Sequence, residues 1–205
     1  LKAAAIGLAL IAVFMIAYYW ISGVAATIAL GIYTTMVVAV IYLFEITLTL
    51  PGIAGIILSI GMAVDANVII FARIREEIAS GKTVSTAIKT GFQKALSAIL
   101  DGNITTLIAA AVLAFKGSGF VKGFAYTLAI GIVLSMFTAL VVTRLVLHGL
   151  YVIGFRDAKF YGRQKDRRPM HFIAKRHVFF IISAVIIIAG FVGMGVNKAN
   201  GKGAL

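Results

Sequence analysis

The sequence predicts an all-α, polytopic membrane protein with six transmembrane helices. Of its 205 residues, 61% are hydrophobic and 13% are charged, and its mean hydropathy is +1.06. Its apolar runs are continuous, whereas the strands of a membrane barrel alternate between apolar and polar residues. Soluble domains contain about 45–50% apolar and about 25% charged residues. An ordinary globular enzyme is therefore excluded, because a soluble core of this size could not hide so much apolar surface.

Six apolar stretches approach or exceed the roughly 20 residues that cross the hydrocarbon core of a bilayer. A short break at residues 21–23 separates the first two stretches. The third is expected to place Pro51 in its first helical turn, where an N–H group would have no partner. The predicted spans are residues 3–19, 23–44, 51–71, 96–115, 120–150 and 178–196.

The distribution of charge predicts how these spans are oriented. The chain has 19 Lys and Arg against 7 Asp and Glu, a net charge of +12. Residues 73–94 hold five of the cations and residues 156–176 hold eight, with two spans between these segments. The opposite connections hold four cations: Lys116, Lys122, Lys198 and Lys202. Because positive charge collects on the cytoplasmic side, both rich segments are predicted to be cytoplasmic. The charge then does not indicate nucleic-acid binding.

The first cytoplasmic segment has an amphipathic pattern. Apolar residues recur at helical spacing on either side of Gly81: Ile74, Ile78, Val84, Ile88 and Phe92. We expect two short amphipathic helices at the cytoplasmic membrane interface. They are interpreted as a lipid-touching connector, and docking of a partner protein is the alternative.

Two acidic residues, Asp65 and Asp101, lie inside predicted spans of a chain that has only seven acids. A carboxylate near the bilayer centre costs about 2.5–3.5 kcal/mol, so such residues are functional candidates. Both acids begin the same pattern of Asp, small residue, Asn and β-branched residue. At 1.5 Å per residue, they lie roughly 12 Å and roughly 8 Å from the cytoplasmic ends of neighbouring antiparallel spans.

The two acids are predicted to belong to a polar seam suited to proton passage. Amides and hydroxyls that could hold water or the carboxylates follow each acid: Asn67, Asn103, Thr105 and Thr106. Arg144 is a possible charge partner, although a side chain at its depth also reaches the headgroups by snorkelling. A role in helix packing remains the alternative for Asp65, and a helix-start role the alternative for Asp101.

Other chemistries lack their signatures in this sequence. There is no cysteine, no phosphate-binding glycine loop, no His-Glu-x-x-His motif and no Gly-x-Ser-x-Gly motif. His148, His171 and His177 do not have metal-ligand spacing. We predict no catalytic residue, no metal site and no cofactor.

Four motifs closely resemble the SecD/SecF protein-export membrane family over residues 1–152. They are Leu-Pro-Gly-Ile-Ala-Gly-Ile at 50–56, Gly-Met-Ala-Val-Asp-Ala-Asn at 61–67, Leu-Asp-Gly-Asn-Ile-Thr-Thr at 100–106 and Val-Lys-Gly-Phe-Ala at 121–125. Residues 153–176 are interpreted as a basic cytoplasmic linker. Residues 177–205 resemble a first SecF helix with an outer tail. The chain is thus similar to the middle of a fused SecDF, in the resistance–nodulation–division superfamily.

The resemblance implies a function. SecDF proteins use the proton-motive force to assist export by the SecYEG translocon across the bacterial cytoplasmic membrane. The implied partners are SecYEG and other Sec accessory membrane proteins, unfolded preprotein, protons and membrane lipid, without nucleic acid. The family's proton-pathway aspartate falls on Asp65, and its SecF-side partners would lie beyond Leu205. A chain that starts at Leu1 is expected to be a fragment without a cleavable signal peptide.

Three alternatives remain open from the residues. Another proton-driven exporter of the superfamily, moving lipid or small molecules, would share an acid inside a helix. An intramembrane aspartyl protease would also pair acids on adjacent spans, but Met62, Ala63 and Val64 stand where its Gly-x-Gly would precede Asp65. A structural scaffold would tolerate Asp65→Asn without loss of activity.

Overall fold

Residues 2–161 and 176–199 are described by the computed structural model, and every regular element within these ranges is helical. The chain divides into two units, and the helix of the second unit is described by itself. The helices of the first unit are α1 Lys2–Tyr19, α2 Ile21–Leu43, α3 Leu50–Ala79, α4 Val84–Lys116, α5 Phe120–Phe137 and α6 Thr143–Ile153, and the second unit contains α7 Arg176–Ala199.

Among the residues that the structure describes, four helices are long and apolar enough to cross a membrane. Three of them are α2, α3 and α4, and the fourth is the continuous helix Phe120–Ile153 that contains α5 and α6. The apolar parts of α1 and α7, Ile6–Tyr19 and Phe180–Met194, are shorter. The structure therefore supports an all-α, multi-pass membrane protein with four candidate crossing helices.

The first two helices are separated by one residue. Trp20 adopts a positive φ of 52°, and α2 begins directly after it, so the break comes before the predicted residues 21–23. A side chain at Gly23 would collide with the backbone carbonyl of Met15. Gly23 therefore permits the close approach of α1 and α2 that such a short turn requires.

The expectation of two separate amphipathic helices in residues 73–94 is wrong. The third helix runs without a break to Ala79, and α4 begins at Val84 after a turn with Gly81 at φ +88°. The helix α4 continues through Gly91. The absence of a side chain at Gly91 provides room for α3, because a Cβ there would lie 2.6 Å from Ile74 Cγ1. The apolar residues of both stripes pack into one core cluster.

Close packing of α3 against α5 organises the outer half of the bundle. Thr127 Oγ1 on α5 donates a hydrogen bond to the Gly52 carbonyl oxygen at 3.0 Å. A Cβ at Gly55 would lie 2.6 Å from the same hydroxyl and 3.0 Å from the Phe124 carbonyl oxygen. The absence of side chains at Gly52 and Gly55 therefore permits the close approach of α3 and α5. By contrast, a Cβ at Gly61 would meet nothing within 4 Å.

A buried hydroxyl pair connects α2 to α3 at this level. Tyr33 Oη and Ser59 Oγ lie 2.7 Å apart, and both residues are fully buried. Ser59 donates to the Ile56 carbonyl oxygen at 2.8 Å, so Tyr33 donates to Ser59. Gly131 on α5 leaves the space that the Ser59 side chain fills.

Many threonine hydroxyls are satisfied inside their own helices. Each donates to the carbonyl oxygen four residues earlier, at distances between 2.7 and 2.9 Å. These residues are Thr27, Thr34, Thr35, Thr105, Thr106 and Thr138. An apolar environment therefore does not leave their donor hydrogens unpaired.

Candidate functional site

A groove of about 220 Å³ lies between α3 and α4. Its lining residues are Met62, Asp65, Ala66 and Ile69 on α3 and Ala98, Ile99, Gly102, Asn103 and Thr106 on α4. Asp65 is the only ionisable residue among them. The groove thus places one carboxyl group among mainly apolar walls.

Helical spacing explains how the two walls form. On α3, Asp65 and Ile69 are four residues apart and share one face. On α4, Ala98, Gly102 and Thr106 repeat every four residues and form the opposite wall. A Cβ at Gly102 would meet nothing within 4 Å, so this wall is recessed. Small residues on α4 therefore leave space beside the Asp65 carboxyl group.

Within the part of the chain that the structure describes, the Asp65 carboxylate has no ion-pair partner. The ion pairs join Arg73 to Glu76, and Lys82 and Lys94 to Glu77. Asp65 is exposed at the surface of the first unit. The Asp65 carboxylate is therefore accessible from the groove and is not neutralised by a neighbouring cation of the described residues.

The polar atoms on the α4 wall are mostly acceptors. Asn103 Nδ2 donates one hydrogen to the Ile99 carbonyl oxygen at 2.7 Å. Thr106 Oγ1 donates to the Gly102 carbonyl oxygen at 2.9 Å. The amide oxygen of Asn103 and the hydroxyl oxygen of Thr106 remain able to accept hydrogen bonds. A water molecule or a protonated carboxyl group in the groove could donate to them.

Asn67 does not belong to the groove, although it is two residues from Asp65. Two residues of an α-helix turn through about 200°, so the two side chains point to nearly opposite faces of α3. Asn67 is 4% exposed and donates from Nδ2 to the Ala63 carbonyl oxygen at 3.2 Å. Its Oδ1 accepts a hydrogen bond from Thr143 Oγ1 at 2.8 Å. The seam expected from the sequence is therefore divided between two faces of α3.

The other residues predicted for the seam lie outside the groove. Asp101 and Thr105 are exposed, and Thr105 Oγ1 donates to the Asp101 carbonyl oxygen at 2.8 Å. Arg144 is exposed on α6 and does not join the ion pairs of the described residues. The structure thus brings Asp65, Asn103 and Thr106 together, and it does not bring Asp101, Thr105 or Arg144 to them.

Sequence analysis missed Thr143, which is fully buried at the start of α6. A π-helical segment, Thr138–Val142, precedes it and lies within the continuous helix Phe120–Ile153. The signal that could have found Thr143 is Asn67 itself. A buried amide oxygen inside an apolar span requires a donor, and Thr143 offers one on a neighbouring helix.

Two contacts of Arg75 hold the C-terminal part of α3, and neither was predicted. Arg75 donates to the carbonyl oxygen of Tyr18 at 2.8 Å, and its guanidinium lies 4.4 Å from the centroid of the Tyr19 ring. Since Tyr18 and Tyr19 end α1, a cation here also complements the negative end of that helix dipole. Arg75 therefore holds α3 against the end of α1.

Comparison with known proteins decides the family. A model described as protein export membrane protein SecD/SecF, C-terminal, matches residues 1–152. The chain belongs to the SecD/SecF protein-export membrane family. The resemblance predicted from the four motifs is therefore confirmed.

Curated relatives in this family are named protein translocase subunit SecD. The Acidaminococcus fermentans protein is 57% identical over 150 residues, covering 73% of this chain and 36% of the relative. The Synechocystis protein is 56% identical over 147 residues, covering 72% of this chain and 31% of the relative. The chain thus spans about a third of the length of these proteins. They do not favour an exporter of lipid or small molecules.

Solved structures of SecDF are similar to the chain. The crystal structure of SecDF from Thermus thermophilus, described as a translocon-associated membrane protein, matches with a TM-score of 0.81 at 36% identity. The match covers 98% of this chain and 27% of that one. SecDF in a super-membrane-facing form matches with the same TM-score at 35% identity.

Proposed function

We propose that this chain is a membrane portion of a protein translocase accessory subunit that uses the proton-motive force to assist Sec-dependent protein export. The observation that carries the proposal is Asp65, an ionisable residue in the α3–α4 groove of a SecD/SecF family member. The names of the relatives and of the similar structures support the role in protein translocation.

In this mechanism Asp65 takes up a proton in one conformation of the protein and releases it in another. A neutral carboxyl group finds acceptors in the groove, namely the side-chain oxygens of Asn103 and Thr106. An ionised carboxylate instead requires water or a cation, so loss of the proton favours a different packing around α3. Each proton that crosses releases about 2.3 kcal/mol per 100 mV, which can drive such a change repeatedly.

The proposed pathway runs through the groove and uses those of the predicted polar residues that line it. Asp65, Asn103 and Thr106 form its contiguous part in the first unit. Asp101, Thr105 and Arg144 would join it only if they met water or further parts of the whole protein. Asn67 would contribute through α3 itself.

We also propose six crossings in the bacterial cytoplasmic membrane, with α1 and α7 added to the four long helices. Residues 73–94 and 156–176 would face the cytoplasm, as the distribution of cations favours. The proposed partners are the SecYEG translocon and other Sec accessory membrane proteins, unfolded preprotein, protons and lipid. No cofactor and no catalytic residue enter the proposal.

Export by membrane vesicles that contain the full-length parent protein tests the role of Asp65. Asp65→Asn keeps the size and polarity of the side chain and removes its titration. We expect stimulation of export by a proton gradient to be lost, while the export that continues without a gradient is retained. Asp101→Asn is the matched control, since Asp101 lies outside the groove and this variant is expected to keep stimulation. Undiminished stimulation in Asp65→Asn would refute the proposed function.

A further inference from the structure

One side chain–side chain hydrogen bond joins α3 to α6 in the inner half of the bundle. Thr143 Oγ1 donates to Asn67 Oδ1 at 2.8 Å, and the Thr138 carbonyl oxygen lies 3.2 Å from the same hydroxyl. Thr143 is fully buried and Asn67 is 4% exposed. Because both groups are shielded from water, breaking the bond leaves the Asn67 oxygen without a replacement partner.

The position of the Thr143 hydroxyl depends on the π-helical segment Thr138–Val142. The Thr143 N–H bonds to the Thr138 carbonyl oxygen five residues earlier, so one extra residue is accommodated in this turn. Single π-turns inside α-helices are found frequently at functional sites. Here the turn sets the face of α6 on which Thr143 meets α3.

The bond acts on the helix that carries Asp65. Asn67 and Asp65 are two residues apart on α3, so a rotation that moves one side chain moves the other by the same angle. In the outer half, α3 is held against α5 by the close contacts at Gly52 and Gly55. In the inner half, the Asn67–Thr143 bond fixes the face opposite Asp65.

We propose that Thr143 is a positioning residue, which sets the rotation of α3 through Asn67 and so presents Asp65 to the α3–α4 groove. This inference rests on the proposed function, in which Asp65 is the proton-exchanging group. Thr143 itself does not line the groove and takes no proton from it.

Thr138 is a matched control in the same π-helical segment. It is 2% exposed, so its hydroxyl is as deeply buried as that of Thr143. Its Oγ1 donates to the Leu134 carbonyl oxygen of its own helix at 2.7 Å. Thr138→Val therefore removes a buried hydroxyl and leaves the bond between α3 and α6 intact.

The test compares variants of the full-length parent in membrane vesicles, with gradient-stimulated export and the amount of folded, membrane-inserted protein both measured. In Thr143→Val the rate is expected to fall roughly tenfold, as small misplacements of reacting groups do elsewhere. Thr143→Ser retains the hydroxyl and is expected to restore most of the rate. Thr138→Val is expected to behave as the wild type.

The double variant Asn67→Leu with Thr143→Val separates positioning from stability. It replaces both partners by apolar groups, which leaves no buried polar atom unpaired and is expected to preserve folding. A positioning role predicts normal abundance with the same low rate as Thr143→Val. A merely structural role predicts a wild-type rate in the double variant, and that result would overturn the inference. The double variant also decides the matter if Thr143→Val alone fails to accumulate.

The reference variant Asp65→Asn distinguishes this inference from the proposed function. If Asp65→Asn abolishes stimulation while Thr143→Val is as active as the wild type, only the positioning role is wrong. Equal losses in Thr138→Val and Thr143→Val would also contradict it. If Asp65→Asn is fully stimulated, the proposed function fails and the positioning role fails with it.

Discussion

Among the described ionisable groups outside the membrane-crossing helices, Tyr161 has the largest shift in pKa. It ends a short 3-10 turn, Ala158–Tyr161, that packs against α2. The residue is fully buried, and its hydroxyl has no hydrogen-bond partner among the described residues. Burial, with a smaller contribution from Tyr151, raises the pKa of the Tyr161 phenol to about 12. Burial of the phenol ring thus stabilises the turn, while burial of its unpaired hydroxyl is unfavourable.

Tyr161→Phe is expected to raise the melting temperature of the detergent-solubilised protein, because it removes a buried, unpaired hydroxyl. The unfolded phenol titrates near a pKa of about 10. Between about pH 10 and pH 12 the unfolded chain loses a proton that the folded chain keeps, so stability falls with rising pH. The advantage of the variant should therefore grow between pH 8 and pH 11. Tyr126→Phe, at an exposed position, serves as control. A constant difference across this range would contradict the assignment.

At the residue scale the sequence predicted candidate residues, but it did not predict the helix faces on which their side chains lie. Asp65 could be found because a carboxyl group in an apolar span has an evident cost. Its separation from Asn67 could have been expected from helical geometry, but the choice of which face meets α4 depends on packing. Thr143 could not be found with certainty, since a π-turn changes the face of every residue that follows it.

Among the elements, the hairpin of α3 and α4 is connected by the ion pairs of one buried acid. Glu77 is 4% exposed, and its two carboxylate oxygens lie 2.5 Å from Lys82 Nζ in the turn and 2.5 Å from Lys94 Nζ on α4. A single carboxylate therefore connects three parts of the hairpin. Neighbouring Glu76 instead pairs with Arg73 on the exposed side of α3.

Glu77→Gln is expected to lower the melting temperature, because it leaves two lysines without their counter-charge beside a buried side chain. The decrease should become smaller at high salt, since the lysine ends of both ion pairs are partly exposed and are screened by ions. Glu76→Gln is the control and should change the melting temperature little, as exposed ion pairs generally contribute little. Equal decreases in melting temperature for the two substitutions would show that the Glu77 ion pairs stabilise the fold no more than the exposed Glu76 pair.

Hydrophobic periodicity identified the apolar stripes of the hairpin but not the surface that these stripes contact. Ile74, Ile88 and Phe92 were correctly placed on apolar stripes, and a stripe alone does not tell whether it covers lipid or another helix. The decisive feature is Gly91, which lets α4 lie directly against the backbone at Ile74. Such complementarity between distant residues is set by three-dimensional packing and is not visible in a local pattern.

For the whole molecule, the orientation in the membrane can be tested directly. The chain contains no cysteine, so a single introduced thiol would be a unique label within it. Ser80→Cys lies in the exposed turn between α3 and α4, and Ser118→Cys lies in the exposed turn between α4 and α5. In a parent otherwise free of cysteine, a membrane-impermeant maleimide should label Ser80→Cys only from the cytoplasmic side and Ser118→Cys only from the opposite side. Labelling of both from one side would contradict the proposed topology.

The sequence also predicted the family and the all-α class, both of which are confirmed. Four crossing helices follow from length and composition, and the count of six stays a proposal because the apolar parts of α1 and α7 are shorter. The predicted basic linker at residues 153–176 lies mostly outside the described residues. Length and composition alone do not fix this count, because a short apolar helix can either cross a bilayer or pack within a larger assembly.

The bond between Asn67 and Thr143 also has a consequence for the order of synthesis. The two residues are 76 positions apart, so at about 5–20 residues per second the ribosome needs roughly 4–15 s to produce the second after the first. The threonines that bond within their own helices enter lipid already satisfied. In contrast, the side-chain amide oxygen of Asn67 enters the membrane before its donor, Thr143, has been synthesised. The nascent third helix must therefore keep contact with water, lipid headgroups or the insertion machinery until the sixth arrives.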